Sequence, residues 1–289
     1  MSRFFYIILI AFLSIFSLSN SNPEKIDSVK IYRIDGITVS TNKAEVRKSP
    51  IAFSEIAQKE IQQIYTSSDL PQILSELPSI ISYSENGNNI GYSNLTLRGF
   101  DQRRISVMIN GIPQNVPEDH NFYWINVSDI ASTLDNIQVQ RGAGLSSYGS
   151  AAIGGSINLT TTNILREKGI KLSYGAGFQE FGNQDNTQFN SSRLSISAGS
   201  GLVDNYAVFG KFSRINSFGY REQSYAFLNS WYFAAARIDE NFTTQINFYG
   251  GSQDDGLAYT GLPKSFVEDK ANRLKNFNYW EYENDGKTL

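Results

Sequence analysis

The chain is 289 residues long, enough for one or two domains, and its formal net charge of −3 lacks the basic excess that nucleic-acid phosphates demand. It has no cysteine, which excludes disulfides and thiolate metal sites, and it carries a single His. With 16 Tyr, 19 Phe and only 18% charged residues, the composition suits strands that meet lipid, where aromatic side chains gather at the interfaces.

Arg3, an almost unbroken apolar run from Phe4 to Phe16, and small residues at Ser17 and Ser19 read as a cleavable export signal over residues 1–19. At about thirteen residues the run falls short of the roughly 20 that span hydrocarbon, which disfavours a transmembrane anchor. No second long apolar run follows, so downstream of the signal only a closed β-barrel could cross a bilayer. Residues 20–41 form a polar leader ending in IDGITVST, Ile34 to Thr41, a short β-branched segment able to add as a strand to a sheet edge. It serves equally well as the first strand of the domain behind it.

Leu70, Ile73, Leu74 and Leu77 fall at helical spacing, with N-cap oxygens at Ser68 and Asp69, Pro71 in the first turn and Pro78 as the stop. Ile80 to Tyr83 reads as a strand, Ser84 to Ser93 as a loop rich in Asn and Gly, and Leu95 and Leu97 as a second strand leading to Arg98 and Gly99. Ile105, Val107 and Ile109 alternate up to Asn110-Gly111, a strong hairpin signal whose second arm is cut short by Pro113 and Pro117. In EDHNFYWIN, Glu118, Asp119 and His120 lack a spaced further ligand, which argues against a metal centre. Phe122, Tyr123 and Trp124 suit a loop whose aromatics pack on a wall or touch a ligand. Ser128 is read as the cap of a short helix containing Ile130 and Leu134.

The run from Ile137 to Asn163 is the most informative. Ile137 with Val139 and Ile157 with Leu159 alternate as two short strands, and between them Arg141 stands in glycine-rich sequence at Gly142, Gly144, Gly149, Gly154 and Gly155. Neither Walker nor dinucleotide spacing is present.

Beyond it the period becomes two. Ile170, Leu172, Tyr174, Ala176 and Phe178 oppose Lys171, Ser173, Gly175, Gly177 and Gln179. Leu194, Ile196 and Ala198 oppose Arg193, Ser195 and Ser197. Tyr206, Val208 and Phe212 follow, with Phe209 out of pattern, and Phe242, Ile246 and Phe248 repeat the motif. Phe227 to Ile238 is apolar on both faces and leaves its register open. Long connections at Gly182 to Ser191, Ile215 to Ser224 and from Ser252 onward alternate with short ones at Ser200 to Val203 and Asp239 to Asn241, as in an outer-membrane barrel.

NLTLRGF at Asn94 to Phe100, MINGIP at Met108 to Pro113 and the glycine-rich run, in that order, resemble the plug domain of TonB-dependent outer-membrane receptors. The resemblance implies an α+β plug, a mixed sheet with short helices, over residues 42–163, followed at 164–289 by antiparallel strands of an incomplete transmembrane barrel. It implies no enzyme and no cofactor. It also implies uptake of a scarce small ligand, an iron–siderophore complex being the commonest cargo, with the TonB periplasmic domain and outer-membrane lipid as partners. Asp35, Ile37, Thr38, Val39 and Ser40 then become a candidate TonB box, with Gly36 and Thr38 departing from the family pattern. Arg98 with Gly99 and Arg141 with Gly142 become plug–barrel locks expected to meet barrel glutamates. Asn86, Asn88, Tyr92, Asp119, His120, Tyr123 and Trp124 become ligand-facing residues of the plug apex. Only 126 residues follow Asn163, room for five strands where the family's barrel has about 22, so the chain is read as the N-terminal part of a receptor. The rival reading is a secreted or periplasmic binding module that keeps the plug fold and uses the hairpins as a soluble sheet.

Overall fold

The computed structural model describes residues 52–142, 153–180, 187–269 and 272–278. The export signal, the leader, the candidate TonB box at Asp35, Ile37, Thr38, Val39 and Ser40, and the centre of the glycine-rich run lie outside these residues.

The plug begins with β1 (Phe53–Ala57), which passes directly into α1 (Gln58–Ile64), where Glu60 reaches back 3.0 Å to accept from the Ala57 N–H. Next comes α2 (Leu70–Leu74), which buries Leu70, Pro71, Ile73 and Leu74. The expected cap is not made. Asp69 occupies the N-cap position, but its carboxylate accepts instead from Ser93 Oγ at 2.5 Å, tying the helix to the neighbouring sheet. Strands β2 (Ile80–Ser84), β3 (Ser93–Leu97) and the two-residue β4 (Phe100–Asp101) form a small antiparallel sheet.

The main sheet runs β1-β7-β8-β5-β6, with β5 at Ile105–Ile109, β6 at Ile112–Pro113, β7 at Leu134–Arg141 and β8 at Gly155–Thr161. The Asn110-Gly111 hairpin forms as expected, both residues in the left-handed region at φ 52° and 80°. β7 and β8 are antiparallel while β8 and β5 are parallel, so the glycine-rich run connects two paired strands. A Cβ on Gly155 would stand 2.3 Å from the Gln140 carbonyl oxygen, which is why the return strand starts on glycine. Ile105, Val107, Ile137, Val139, Ile157 and Leu159 pack with Leu74, Leu97 and Trp124 into one core. The short helix expected after Ser128 is a 3-10 turn at Ile130–Thr133 led by Asp129, and Leu134 already belongs to β7.

Five long strands follow as one antiparallel sheet, β9 (Lys168–Glu180), β10 (Thr187–Ser200), β11 (Tyr206–Ser217), β12 (Ala226–Ile238) and β13 (Thr243–Asp255), each paired with its chain neighbour. A short helix, α3 (Lys264–Glu268), follows them. β10 starts at Thr187 inside the segment read as loop, and β13 runs three residues past Ser252. The alternation divides the faces cleanly. Ile170, Leu172, Tyr174, Phe178 and Phe248 point away from the plug, each 67–72% exposed, whereas Arg193, Ser195, Lys211 and Ser213 are buried against it. In β12 the register left open by the sequence puts Leu228, Tyr232, Ala234 and Ala236 inward. Phe209 breaks the outward pattern because it points inward and packs with Ile164 and Tyr232 at the plug.

Candidate functional site

Two places combine chemistry with position. The first is a cup of about 340 Å³ at the long-loop end, bounded by Tyr92, Tyr123 and Trp124 of the plug, by Leu257 and Tyr259 after β13, and by Arg103. Its floor is a hydrogen-bonded chain. Trp124 Nε1 donates to Gln102 Oε1 at 3.2 Å, Gln102 Nε2 to Asn94 Oδ1 at 2.9 Å, and Asn94 Nδ2 to Glu85 Oε1 at 3.0 Å. Each amide spends both ends, so the chain is rigid and holds the Trp124 ring against Phe122, edge to face at 4.6 Å. Burial pushes the Glu85 carboxyl and the Tyr92 phenol above their ordinary values.

The other expected apex residues separate. Asp119 accepts from Tyr123 Oη at 2.8 Å and from the Asn121 N–H at 2.9 Å, and those bonds hold its carboxyl below the ordinary range while steering the Tyr123 ring. His120 is an exposed turn residue at φ 58° whose N–H donates to the Val116 carbonyl, and it does not line the cup. Asn86 is 1% exposed and donates to the Ser224 carbonyl of the wall at 2.9 Å, and Asn88 bonds Ser217 Oγ. These two amides fasten the apex loop to the wall, Asn86 fully buried and Asn88 half-buried. The Asn-Gly-rich composition signalled a loop but could not say that its amides were already engaged.

The second place is a buried ion cluster between plug and wall. Asp129, in the left-handed region at φ 58°, aims its carboxylate at β10 and β11. Arg193 Nε meets Oδ1 at 2.6 Å and Nη2 meets Oδ2 at 3.1 Å, a two-pronged contact, while Lys211 Nζ reaches Oδ2 at 2.5 Å and the Asp129 carbonyl oxygen at 2.8 Å. Ser132 Oγ and Tyr65 Oη also donate to the carboxylate. The Arg193 guanidinium lies over the Tyr65 ring, 5.2 Å from its centre, and donates to Ser173 Oγ at 3.1 Å. Burial pushes the Asp129 carboxyl up, but Lys211 and Arg193 outweigh it and hold the group well below the usual carboxylate range. The cluster carries one negative and two positive charges out of water, so each ion depends on the others.

Sequence reasoning passed over all three charged members. Asp129 sat beside the Ser read as a helix cap, Lys211 beside the out-of-pattern Phe209, and Arg193 was visible only as one polar position of an alternating strand. The usable signal was a cation on the polar face of a strand otherwise lined with serines.

Both Arg-Gly pairs come together on the plug. Arg98 and Gly99 have φ of 55° and 81°, and Gly142 lies so close to Arg98 that a Cβ there would be 3.3 Å from Nη1. Arg141 donates to Ser54 Oγ at 2.7 Å and to the Phe53 carbonyl at 3.4 Å, which fastens β7 to β1. Among the described residues neither guanidinium makes an ion pair with the wall. No group of three acidic, His or Cys side chains among them could hold a metal, and no helix among them is long and apolar enough to cross a membrane.

Residues 45–156 match the model of the TonB-dependent receptor plug domain. The ferric enterobactin receptor of Pseudomonas aeruginosa is 25% identical over 194 residues, which are 62% of this chain and 25% of that protein. The vitamin B12 transporter BtuB of Vibrio cholerae is 27% identical over 248 residues, 78% and 39% of the two chains. Among solved structures, the unliganded ferric citrate transporter FecA superposes with a TM-score of 0.62 at 21% identity, over 78% of this chain and 34% of that one. This likeness is one of fold. The chain thus spans roughly a quarter to two-fifths of the length of these relatives. Its mixed sheet and the antiparallel wall that follows agree with these matches, and residues 45–156 form a domain similar to the plug of TonB-dependent receptors.

Proposed function

We propose that this chain is the plug and first wall strands of an outer-membrane receptor that captures a scarce ligand at the long-loop end and admits it when TonB pulls on the leader. The observation that carries this reading is the division of the strand wall. Its outer face exposes Ile170, Leu172, Tyr174, Phe178 and Phe248, while its inner face meets the plug through buried charges. Such an apolar surface suits lipid, and it would make a soluble secreted module prone to associate. The five-stranded sheet also has two open edges among the described residues, which a membrane wall must pair with further strands.

An iron–siderophore complex is the favoured cargo. Relatives named as ferric enterobactin and siderophore receptors support it, as does a cup that combines aromatic faces with Arg103. Cobalamin is the second candidate, on the likeness to the BtuB proteins. In this reading Arg98, brought against Gly142, and Arg141 are the side chains that acidic partners on the wall would meet, and Asp35 with Ile37 to Ser40 is the segment offered to TonB. The test is uptake of radiolabelled ferric siderophore and of labelled cobalamin by cells expressing the complete reading frame, with and without TonB. Uptake of neither, or uptake indifferent to TonB, overturns the proposal. Ile37→Pro should abolish uptake while leaving surface binding intact, because proline removes a strand donor.

A further inference from the structure

The plug does not touch the wall evenly. Along β11–β13 it makes apolar contact, with Ile90 and Ile125 against Ile215 and Leu228 at one end and Ile164 against Phe209 and Tyr232 at the other. Against the first hairpin, β9–β10, it leaves two cavities. One, of about 720 Å³, opens toward the long-loop end, between Gln72, Asn88 and Asn89 of the plug and Gly175, Gly177 and Ser191 of the hairpin. The other, of about 230 Å³, lies toward the short-turn end, between Gln58 and Gln62 of α1 and Lys171, Ser195 and Ser197. Three residues line both cavities, namely Tyr65, Ser173 and Arg193. They are also joined to one another, since Arg193 lies on the Tyr65 ring and donates to Ser173, and Tyr65 and Arg193 both bind Asp129.

We propose that the two cavities are successive compartments of one path for small anionic solutes along the inner face of the first hairpin, and that Tyr65 with the Asp129–Arg193 pair is the barrier between them. The lining mixes amides, hydroxyls and bare backbone with apolar side chains such as Ile61, Ile64 and Phe209, and one carboxylate stands in each cavity, Glu167 and Glu76, so a hydrophilic solute finds polar partners along the way and the choice of charge is made at the neck. Gly175 stands in the widest part, where a Cβ would meet nothing within 4 Å, whereas one on Gly177 would press on Ser191 Oγ. Arg193 and Lys211 face a single carboxylate, so the neck favours anions. Tyr65 follows α1 immediately and α1 follows β1 without a break, so tension on the chain ahead of Phe53 reaches the ring that covers the neck once the β1–β7 ladder, fastened by Arg141, gives way. The inference rests on the wall standing in an outer membrane, as proposed above.

The absence of cysteine from these 289 residues makes the path testable by single-cysteine labelling of the complete reading frame in porin-deficient cells, with any cysteine encoded elsewhere in the frame replaced by Ser and with impermeant sulfonate and trimethylammonium methanethiosulfonates added from outside. Phe218→Cys, in the exposed loop after β11, reports that the chain reaches the surface; if it stays unlabelled, the receptor reading fails and this inference with it. With that reporter labelled, Gly175→Cys should react and Ser197→Cys should stay protected. Adding Tyr65→Ala should speed modification of Ser197→Cys about tenfold, the population change that follows when one hydrogen bond to a charged group is lost from the closed state. The sulfonate should outpace the cationic reagent there. Ser230→Cys, buried at the opposite seam, should be unaffected. Ser197→Cys reacting freely with Tyr65 intact, remaining protected without it, or changing together with Ser230→Cys would each overturn the barrier. A faster cationic reagent would overturn the assignment to anions.

Discussion

The plug's interior and its seam with the wall are held by different physics. Inside the plug, β5, β7 and β8 are buried on both faces, and Ile105, Val107, Ile137, Ile157 and Leu159 are each fully enclosed by other apolar side chains. At the seam with β10 and β11 two apolar patches flank an ionic contact, one carboxylate shared by two cations and a phenol. Apolar burial is non-directional and stabilises the plug as a unit, whereas an ion cluster has discrete partners that can be exchanged. A domain built this way keeps its own fold when its attachment to the wall is broken.

The largest expected effect is at the seam. Asp129→Ala leaves Arg193 and Lys211 buried without a counter-ion, at a cost of about 3–5 kcal/mol, and should release the plug from the wall, seen as faster proteolysis of the plug in micelles. The triple change to Asp129→Leu, Arg193→Met and Lys211→Met should recover most of that loss, because it removes the desolvated charges together. A triple variant as loose as the single one would show that the seam is not governed by charge. The same contact sets a pH dependence. Because the folded Asp129 carboxyl lies below its unfolded value, its contribution is complete above about pH 4 and is lost as pH falls below that. The plug should therefore detach in acid before it unfolds.

The matching change in the interior is Leu97→Ala, which opens a cavity at a fully buried site and should cost about 2–5 kcal/mol. It should lower the plug's Tm equally with the seam intact or broken; a loss that depends on Asp129 would collapse the distinction between the two regions. Asp69 titrates in the opposite sense. Desolvation raises its carboxyl to about 7, so this group favours the folded plug in acid and opposes it as pH climbs from about 4 through 7. Asp69→Asn should raise the Tm at pH 8 and leave it nearly unchanged at pH 4. The smallest effect is at the cup. Trp124→Phe loses the bond to Gln102 and part of the indole's packing in the core, about 1–2 kcal/mol together, and should weaken ligand capture while lowering the Tm less than Leu97→Ala.

The sequence was most legible where period and burial coincide. Alternation at Ile170 to Phe178 and Leu194 to Ala198 located the wall strands, and Asn110-Gly111 located the hairpin, because both depend on neighbours in the chain. It was less legible where a residue's partner is distant. Asp69 had the right place for a helix cap, yet Ser93 takes its carboxylate. Asn86 and Asn88 had the composition of an open loop, yet both bind the wall. Tyr92, Tyr123 and Trp124, marked by their aromatic rings, line one cup, but Arg103, Gln102 and Tyr259 join them only through tertiary packing.

By itself the sequence determined the plug motifs, the class of each element and the switch to two-residue periodicity, since helices, strands and turns are written in local spacing and in the special backbone freedom of glycine and asparagine. Only the tertiary structure decided that Asp129 meets Arg193 and Lys211 across separations of 64 and 82 residues, and that two cavities adjoin at Tyr65. A buried ion pair leaves no periodic trace, because each partner looks like an ordinary polar residue until the chain folds and removes the water between them.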